Sequence, residues 1–373
     1  MVGGGHTGFI GHVHRMAAAL DRNFTLVAGA LSSDPKRAHE SAADLGIAQD
    51  RSYADFNEMA ARESRREDGI EAVVIVTPND LHAQPIRAFI EAGIHVICDK
   101  PLCTTLEEAV NLHRLVSESG RVFVLTHCYT GYPMVRQARQ MIADGEIGEL
   151  RLVHVEYPQG WLATRLEDTG ERKSAWRTDP DRSGPGGCVA DIGTHAYHMA
   201  RFVSQLGVDS ISAQLTTFVP GRRVDDDVQA KLRFENGARG ILWASQVAVG
   251  HENGLRFRIY GKSGGLEWIQ ADPNCLWHTQ LDKPKQMLSR AGIGGNCASL
   301  RWSRVAAGHP EGYVEAFSTI YSEAAEAVRA WQNGKRPGPD VLHPGIDDGL
   351  EGMQFIDTCI RSSANCGEWT GLA

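Results

Sequence analysis

The sequence predicts an α/β domain with a parallel, doubly wound sheet at residues 1–126, followed by an α+β domain with a mostly antiparallel open sheet at residues 127–373. A chain of 373 residues exceeds one ordinary hydrophobic core, which favours two domains. Short apolar runs alternate with helical stretches up to residue 126, as in a parallel sheet. Further on, the pair Asn236-Gly237 separates two strand-like runs, which is typical of an antiparallel hairpin.

The first domain begins with a glycine-rich turn at residues 3–8 that leads into a helix at Phe9–Leu20. The apolar run Phe24–Leu31 fits a buried parallel strand. Asp34-Pro35 predicts a helix start, with aspartate as N-cap and proline at N1. Further strands are predicted at Glu71–Thr77, Ile94–Cys98 and Arg121–Thr126, separated by helices at Leu81–Ala92 and Thr105–Ser119. Only Met1-Val2 precede the turn, whereas a first Rossmann strand needs about five residues. Either the true start of the chain lies upstream, which we favour, or this strand is unusually short.

The second domain is predicted from a different pattern, in which strands follow one another closely. The expected elements are a helix at Met134–Asp144, strands at Glu149–Tyr157, Asp227–Glu235, Ala238–Val247, Leu255–Gly261 and Leu266–Ile269, and closing helices at Glu311–Asn333 and Gly349–Ser363. A polar loop rich in glycine and proline is expected up to Gly187.

Composition narrows the class of protein. Lys+Arg 38 against Asp+Glu 46 gives a net charge of −8, which argues against a nucleic-acid partner, because binding to phosphates needs cations. No apolar run reaches the roughly 18 residues of a membrane span, and no secretion signal is evident. The eight cysteines are scattered without a C-x-x-C pair, so we expect reduced thiols in a cytoplasmic protein and no metal site.

The turn fits the dinucleotide-binding pattern G-x-G-x-x-G of a Rossmann fold, with Gly3, Gly5 and Gly8 at the required spacing. These glycines permit a tight turn, close approach of the pyrophosphate, and close packing of helix on strand. The phosphates would lie on free N–H groups at the helix start. The expected coenzyme contacts here are Gly3, Gly5, His6, Gly8, Phe9 and Ile10.

The tip of the second predicted strand indicates which dinucleotide binds. An acidic residue there usually binds the ribose 2′-hydroxyl, but this position falls on Ser32-Ser33, with Lys36 and Arg37 close by. Small hydroxyls and cations suit a 2′-phosphate, which favours NADP(H). Alternatively, the two cations are ordinary solvated helix positions and NAD(H) binds.

Three further patches carry chemistry, although each has a plainer interpretation. Further coenzyme contacts are expected after two predicted strands, at Thr77, Pro78, Asn79, His82, Asp99 and Lys100. The segment Thr77-Pro78-Asn79, followed by His82, is equally consistent with a turn and helix start. Asp99-Lys100-Pro101 follows the next strand, where a lysine is often only a surface charge. Asp191 and His195 are four residues apart, which places them on one face of a helical turn, but Asp191 could be an N-cap.

Together, GGGxxG, TPNxxH, D-K-P and D-x-G-x-H resemble the motifs of the glucose–fructose oxidoreductase and inositol 2-dehydrogenase family (Gfo/Idh/MocA) over essentially the whole chain. That family usually has E-K-P where this chain has Asp99-Lys100-Pro101. The resemblance implies a nicotinamide-dependent dehydrogenase or reductase acting on sugars, cyclitols or related polyols. It also implies a catalytic trio of Lys100, Asp191 and His195, and an assembly of two or four identical chains.

The chemistry of these side chains agrees with the resemblance. Oxidation of an alcohol needs a base for the hydroxyl proton, and a histidine titrates near working pH, so His195 is assigned that role. Asp191 would orient it, and Lys100 would stabilise alkoxide character on the reacting oxygen. Polar-tipped and aromatic residues suit a sugar, although each could equally belong to the core. The candidates for substrate contact, besides the trio, are Tyr129, Tyr157, Trp176, Arg177, His198 and His309.

Three other functions remain open from the sequence. Asp191, His195 and His198 have ligand-like spacing, which is compatible with a metal enzyme. A glycoside hydrolase that retains NAD is a second alternative, since some relatives of the family work in this way. A nucleotide-sensing regulator without catalysis is the third, and the trio argues against it.

Overall fold

The structure is a computed structural model and describes residues 1–6, 9–169 and 176–372. The chain divides into two compact units, one formed by Met1–His127 with Phe317–Met353, the other by Cys128–Ala316 with Gln354–Ala373. The sequence prediction kept residues 127–373 together, so the grouping of Phe317–Met353 with the first unit differs from it. The contacts explain this grouping, because a 2.7 Å hydrogen bond joins the Tyr321 hydroxyl to Nδ1 of His14 in the first helix.

The first unit is built on a parallel sheet. Its strands are β1 (Val2–Gly3), β2 (Ala72–Val76), β3 (His95–Cys98) and β4 (Phe123–Leu125), in that spatial order and all parallel. The helices up to residue 127 are α1 (Phe9–Leu20), α2 (Pro35–Asp44), α3 (Phe56–Glu63), α4 (Ala83–Glu91) and α5 (Leu106–Ser119), with 3-10 turns at Gln49–Arg51 and Asn79–Leu81. Strands alternating with helices confirm the predicted doubly wound class.

Local sequence signals explain several of these boundaries. Asp34 caps α2 by accepting a hydrogen bond from the Arg37 amide at 2.9 Å, as predicted. Thr105 caps α5 in the same way through the Glu108 amide, and α5 ends where Gly120 adopts a φ of 63°.

The predicted strand Phe24–Leu31 is wrong as a regular strand. This segment forms only isolated bridges, Val2 with Ala30 and Gly29 with Ser52. Its backbone is extended, since Ala30 donates to the Met1 carbonyl and Gly3 donates to the Ala30 carbonyl. Because β1 has only two residues, it offers too short a partner for a longer ladder.

The second unit is built on a larger sheet. Its strands are β5 (Leu150–Pro158), β6 (Val208–Thr216), β7 (Asp227–Phe234), β8 (Arg239–Ser245), β9 (Arg256–Gly261), β10 (Gly264–Ile269), β11 (Cys275–Gln280), β12 (Gln286–Ser289) and β13 (Thr370–Gly371). The spatial order is β12-β11-β10-β9-β5-β8-β7-β6-β13, and the pairing is antiparallel except for the parallel pair β5–β8. The mostly antiparallel sheet of the prediction is confirmed.

The remaining helices are divided between the two units, because Phe317–Met353 belong to the first. They are α6 (Pro133–Ala143), α7 (Pro180–Ser183), α8 (Thr194–Ser204), α9 (Cys297–Leu300), α10 (Tyr313–Gln332) and α11 (Ile346–Ala364), with 3-10 turns at Cys128–Gly131 and Leu166–Thr169 and a π-helical turn at Val189–Gly193. The helix α8 contacts β5 and presents buried Ala196, Met199 and Val203. Within the described part of the chain, no helix is long and apolar enough to cross a membrane.

The hairpin between β7 and β8 follows the sequence signal. Gly237 has a φ of 89° in the turn, which a residue with a side chain rarely adopts. Buried Ala230 and Leu232 alternate along β7 with exposed Gln229 and Lys231, so one face of the sheet meets the core. The strands β6, β11, β12 and β13 were not predicted, because small and polar residues interrupt the alternation of the first three and β13 has only two residues.

Candidate active site

The glycine-rich turn of the first unit has the geometry that a dinucleotide requires. Gly3 and Gly4 have φ angles of 74° and 72°, in the region that favours glycine. A Cβ on Gly5 would lie 2.8 Å from Ser41 Oγ and 2.9 Å from the Leu31 carbonyl oxygen, so only glycine fits without a shift. Gly8, the third glycine of the predicted pattern, lies outside the described residues together with Thr7. The turn therefore fits the phosphate-binding role as far as it is described.

Two residues that the sequence analysis missed support this turn. A Cβ on Gly11 would lie 2.5 Å from Gly4 Cα, so Gly11 in α1 allows the helix to approach the turn closely. Arg15 Nη1 donates to the Gly4 carbonyl at 2.6 Å and braces the turn from the same helix. A glycine seven residues after Gly4 was the sequence signal that could have identified the first of these.

The other predicted coenzyme residues in this part of the unit are mostly accessible. His6 Nε2 lies 2.6 Å from Asp44 Oδ2 at the end of α2, Phe9 is exposed, and Ile10 is partly buried against the core. Ser32 Oγ accepts from the Asp34 amide at 3.2 Å. The cations Lys36 and Arg37 are exposed, at 86% and 51% of their side chains, and lie 3.9 Å from the carboxylates of Glu40 and Asp34 respectively.

The loops that follow β2 and β3 carry the next predicted residues. Thr77 Oγ1 donates to the Leu81 carbonyl at 2.9 Å, while Asn79 is buried in the 3-10 turn. Asp99 Oδ1 accepts from the Lys100 amide and from Thr126 Oγ1, both at 3.0 Å, which holds the loop beside β4. The Lys100-Pro101 peptide is cis. Both loops lie at the carboxyl ends of parallel strands, where ligands bind in open α/β sheets.

In the second unit, Asp191 lies in the π-helical turn Val189–Gly193, and His195 lies in the first turn of α8. The prediction assumed an α-helical turn between them, but the Thr194 amide bonds to the Val189 carbonyl, five residues back. Such wider turns are rare and occur mostly as single turns at functional sites.

A buried carboxylate holds this turn in place. Asp225 Oδ1 accepts from the Gly187 amide at 2.6 Å, Asp225 Oδ2 accepts from the Val189 amide at 2.8 Å, and the Asp225 carbonyl accepts from the Cys188 amide at 2.9 Å. Burial raises the pKa of Asp225 to about 6, although these amide bonds act in the opposite direction. The sequence offered no signal for this role, since Asp225 is far from Asp191 in the chain.

The Asp191 carboxylate is itself surrounded by donors. Gln246 Nε2 donates to Asp191 Oδ2 at 2.8 Å, and Arg177 Nε lies 3.7 Å from the same oxygen. The Arg177 guanidinium in turn lies over the Trp176 ring, 4.2 Å from its centroid. Gln246 is a further residue that the sequence analysis missed.

His195 is buried, at 8% exposed, against two tyrosine rings. Its ring makes edge contacts with Tyr129, 4.9 Å between centroids, and with Tyr157, 6.1 Å between centroids. The two tyrosine hydroxyls lie 2.5 Å apart, and Asn253 bonds to both, accepting from Tyr157 at 2.7 Å and donating to Tyr129 at 3.3 Å. Burial raises the pKa of both hydroxyls. Contact of these two tyrosines with substrate stays a prediction, and in this structure their hydroxyls bond to each other and to Asn253.

The remaining predicted residues of this unit differ in exposure. His198 is buried in α8, with its ring 6.0 Å from Phe202. His309 is exposed in a loop, and its carbonyl accepts from Arg290 Nη2 at 2.5 Å. Among residues 1–6, 9–169 and 176–372, no three His, Cys, Asp or Glu side chains are grouped so that they could hold a metal ion.

The first unit has a parallel sheet with a glycine-rich turn after its first strand, and the second unit has an aspartate–histidine turn. These features indicate the class of dinucleotide-dependent oxidoreductases. Residues 1–127 match the model of an oxidoreductase family with an NAD-binding Rossmann fold, and residues 135–267 match the GFO/IDH/MocA C-terminal domain. The chain belongs to this GFO/IDH/MocA family and is an NAD(P)-dependent oxidoreductase acting on hydroxyl-bearing carbons.

Three relatives illustrate the match. An uncharacterized oxidoreductase of Bacillus subtilis is 35% identical, with 99% of this chain and 95% of that protein covered. The crystal structure of an oxidoreductase from Sinorhizobium meliloti is 51% identical with a TM-score of 0.91, covering 99% of this chain and 98% of the other. An inositol dehydrogenase homolog from Azotobacter vinelandii, in complex with NADH and myo-inositol, is 37% identical with a TM-score of 0.92, covering 100% and 96% of the two chains.

Proposed function

We propose that this enzyme transfers a hydride between a nicotinamide coenzyme and a secondary hydroxyl of a cyclitol, sugar or related polyol. The observation that carries the proposal is the turn with Asp191 and His195, which a buried aspartate holds and donors surround. A histidine beside an oriented carboxylate suits acid–base work near neutral pH. The solved homolog with NADH and myo-inositol supports the substrate class.

In this proposal, His195 removes the hydroxyl proton in oxidation and returns it in reduction. Asp191, whose side chain is partly exposed, orients the imidazole and stabilises its charged form, as the carboxylate does in comparable pairs. Lys100 stabilises negative charge that develops on the same oxygen. The coenzyme, when bound, supplies the hydride acceptor or donor. The buried tyrosines behind His195 restrict the ring to few orientations.

The rate at which the enzyme oxidises a confirmed substrate tests these roles. A panel of cyclitols, aldoses and polyols with NAD+ and NADP+ is followed at the absorbance of the reduced nicotinamide. We expect His195→Ala and Lys100→Ala each to lower kcat by about a hundredfold or more, which corresponds to about 3 kcal/mol of transition-state stabilisation. Unchanged rates in either variant would refute the assignment. The control is the variant His113→Ala, because the His113 ring bonds to Asp347 on the surface.

We also propose a preference for NADP(H) over NAD(H). The exposed cations Lys36 and Arg37 follow Ser32-Ser33 and suit a 2′-phosphate, while the Asp34 carboxylate caps α2. We expect the double variant Lys36→Ala with Arg37→Ala to lower kcat/KM for NADP+ by about tenfold, with little change for NAD+. An equal effect on both coenzymes would contradict this preference.

A homodimer or homotetramer is proposed on the outer face of the second unit's sheet. Trp277, Glu267, Arg258, His154 and Ile241 face one another across five neighbouring strands, so they share one face. Trp277 and Ile241 are 41% and 51% exposed, so this face presents apolar area that a second copy of the chain would cover. Light scattering of the wild type and of Ile241→Asp measures the oligomeric state, and a monomeric wild type would exclude the assembly.

The scattered thiols favour a cytoplasmic location for this enzyme.

A further inference from the structure

The ring of His82 connects two loops of the first unit. His82 Nδ1 lies 2.8 Å from the Pro101 carbonyl oxygen, and His82 Nε2 lies 2.9 Å from the Thr77 carbonyl oxygen. The residue is only 1% exposed. The ring therefore joins the loop after β2 to the loop that carries Lys100.

The number of protons on the His82 ring follows from its two contacts. A carbonyl oxygen only accepts hydrogen bonds, and a neutral imidazole has one N–H donor and one acceptor nitrogen. A neutral ring could bond to one carbonyl, and its other nitrogen would then point a lone pair at the second carbonyl oxygen. Both contacts are hydrogen bonds only when both ring nitrogens carry a proton.

The backbone around His82 keeps the ring in this place. The His82 amide donates to the Asn79 carbonyl in the 3-10 turn, and its carbonyl accepts from the Ile86 amide in α4. A bond from Thr77 Oγ1 to the Leu81 carbonyl closes the same turn. Turning the ring away would leave the buried Pro101 carbonyl and the partly buried Thr77 carbonyl without this donor, which is costly.

The elements that flank the ring carry charges of both signs. A charged imidazole makes stronger hydrogen bonds to carbonyls than a neutral one. The ionisable side chains carried by the 3-10 turn, α4 and the loop after β3 are Asp80, Arg87, Glu91, Asp99, Lys100 and Cys103.

We propose that His82 is a positioning residue that holds protons on both ring nitrogens and ties the Thr77 carbonyl to the Pro101 carbonyl, which fixes the loop that carries Lys100. The sequence analysis had assigned His82 to coenzyme contact. Its role as a link between loops does not require contact with any ligand. The consequence for catalysis rests on the proposed function of Lys100, whereas the protonation of the ring does not.

Neutron diffraction of deuterated wild-type crystals at about pH 6 tests the proton count directly. We expect nuclear density for deuterium on both Nδ1 and Nε2 of His82. Deuterium on only one nitrogen would overturn the proposal. This measurement needs neither a substrate nor a variant, so its result is independent of the proposed reaction.

Hydrogen exchange followed by mass spectrometry tests the positioning role. The variant His82→Gln keeps a polar side chain but cannot donate from two ring positions, and His113→Gln is the same change at a surface residue. We expect faster amide exchange at residues 98–104 in His82→Gln only. Unchanged exchange in that segment would refute the positioning role.

Kinetics then separate positioning from a general loss of structure. In His82→Gln we expect kcat to fall by about tenfold while the Kd for NADPH, from its fluorescence, stays within about threefold. A loss of coenzyme affinity with an unchanged kcat would contradict a role through Lys100. If no substrate is found for the wild type, the proposed function fails while the neutron and exchange results still decide this inference.

Discussion

At the scale of single residues, the second unit surrounds His195 with side chains whose polar atoms bond to one another. Asn253 accepts from Tyr157 and from Gln159, and it donates to Tyr129 and to Gln270 Oε1. This satisfies both ends of the amide, so the tyrosine hydroxyls have fixed directions. The tyrosine rings that contact His195 are therefore held by hydrogen bonds as well as by packing.

The variant Tyr157→Phe tests this arrangement. It removes a hydroxyl from between Tyr129 and Asn253, so we expect kcat to fall by about tenfold as His195 gains freedom. The KM for substrate should change less than kcat, because the tyrosine hydroxyls bond within the protein. Steady-state kinetics across pH give both constants.

Tyr132→Phe is the matched control for that variant. Its hydroxyl accepts from Gln270 Nε2 at 3.3 Å, one bond further from Asn253, and it is equally buried. We expect a similar loss of unfolding free energy, about 1 kcal/mol, in both variants. A fall in kcat of equal size in both would mean that the tyrosine pair has no special effect on His195.

At the scale of elements, most regular strands and helices followed local signals, and the exceptions have physical causes. The helix α1 has the predicted bounds, and the hairpin β7–β8 forms where Asn236-Gly237 predicted it. The segment Phe24–Leu31 has a strand's composition, but it lacks a partner strand of sufficient length. The π-helical turn depends on the Asp225 carboxylate, which no local pattern reveals.

The turn gives a pH prediction of definite sign. The pKa of Asp225 is raised from 3.8 to about 6, so the folded protein binds this proton more tightly than the unfolded chain. The associated contribution to the unfolding free energy is fully present below about pH 4 and is lost as pH rises through 6. As pH rises through that range, the unfolding free energy of the wild type should fall by up to about 3 kcal/mol relative to that of Asp225→Asn.

Chemical denaturation at a series of pH values measures this difference. Asp209→Asn is the control, since Asp209 lies exposed in β6. A wild type and an Asp225→Asn variant with parallel pH profiles would show that the carboxylate does not titrate in this way.

At the scale of the whole molecule, the two units carry buried ionisable groups whose titrations act in opposite directions. In the first unit, burial lowers the pKa of His14 and of His95 to about 4. The unfolded chain binds these protons more readily between pH 4 and 6.5, so the stability of this unit falls as pH decreases through that range. Asp225 has the opposite effect in the second unit.

The variant His14→Gln tests the acid sensitivity of the first unit. It removes a group that must charge on unfolding, so the loss of unfolding free energy between pH 7 and 4.5 should be smaller than in the wild type, by up to about 3 kcal/mol. His39→Gln, at an exposed residue of α2, should keep the wild-type slope. Hydrogen exchange assigns the effect to the unit concerned, and equal slopes in all three proteins would contradict the prediction.

The sequence by itself determined the fold class, the glycine-rich turn and the motifs that carry Lys100, Asp191 and His195, because these depend on short-range periodicity and on residues close together in the chain. The tertiary structure alone decided which distant groups support them. Asp225 bonds to the turn that carries Asp191, Gln246 bonds to Asp191 itself, and Asn253 bonds to the tyrosines that contact His195, across 36 or more residues of chain. His82 joins two loops. Such contacts depend on how strands are ordered in a sheet, and sequence spacing carries no information about that order.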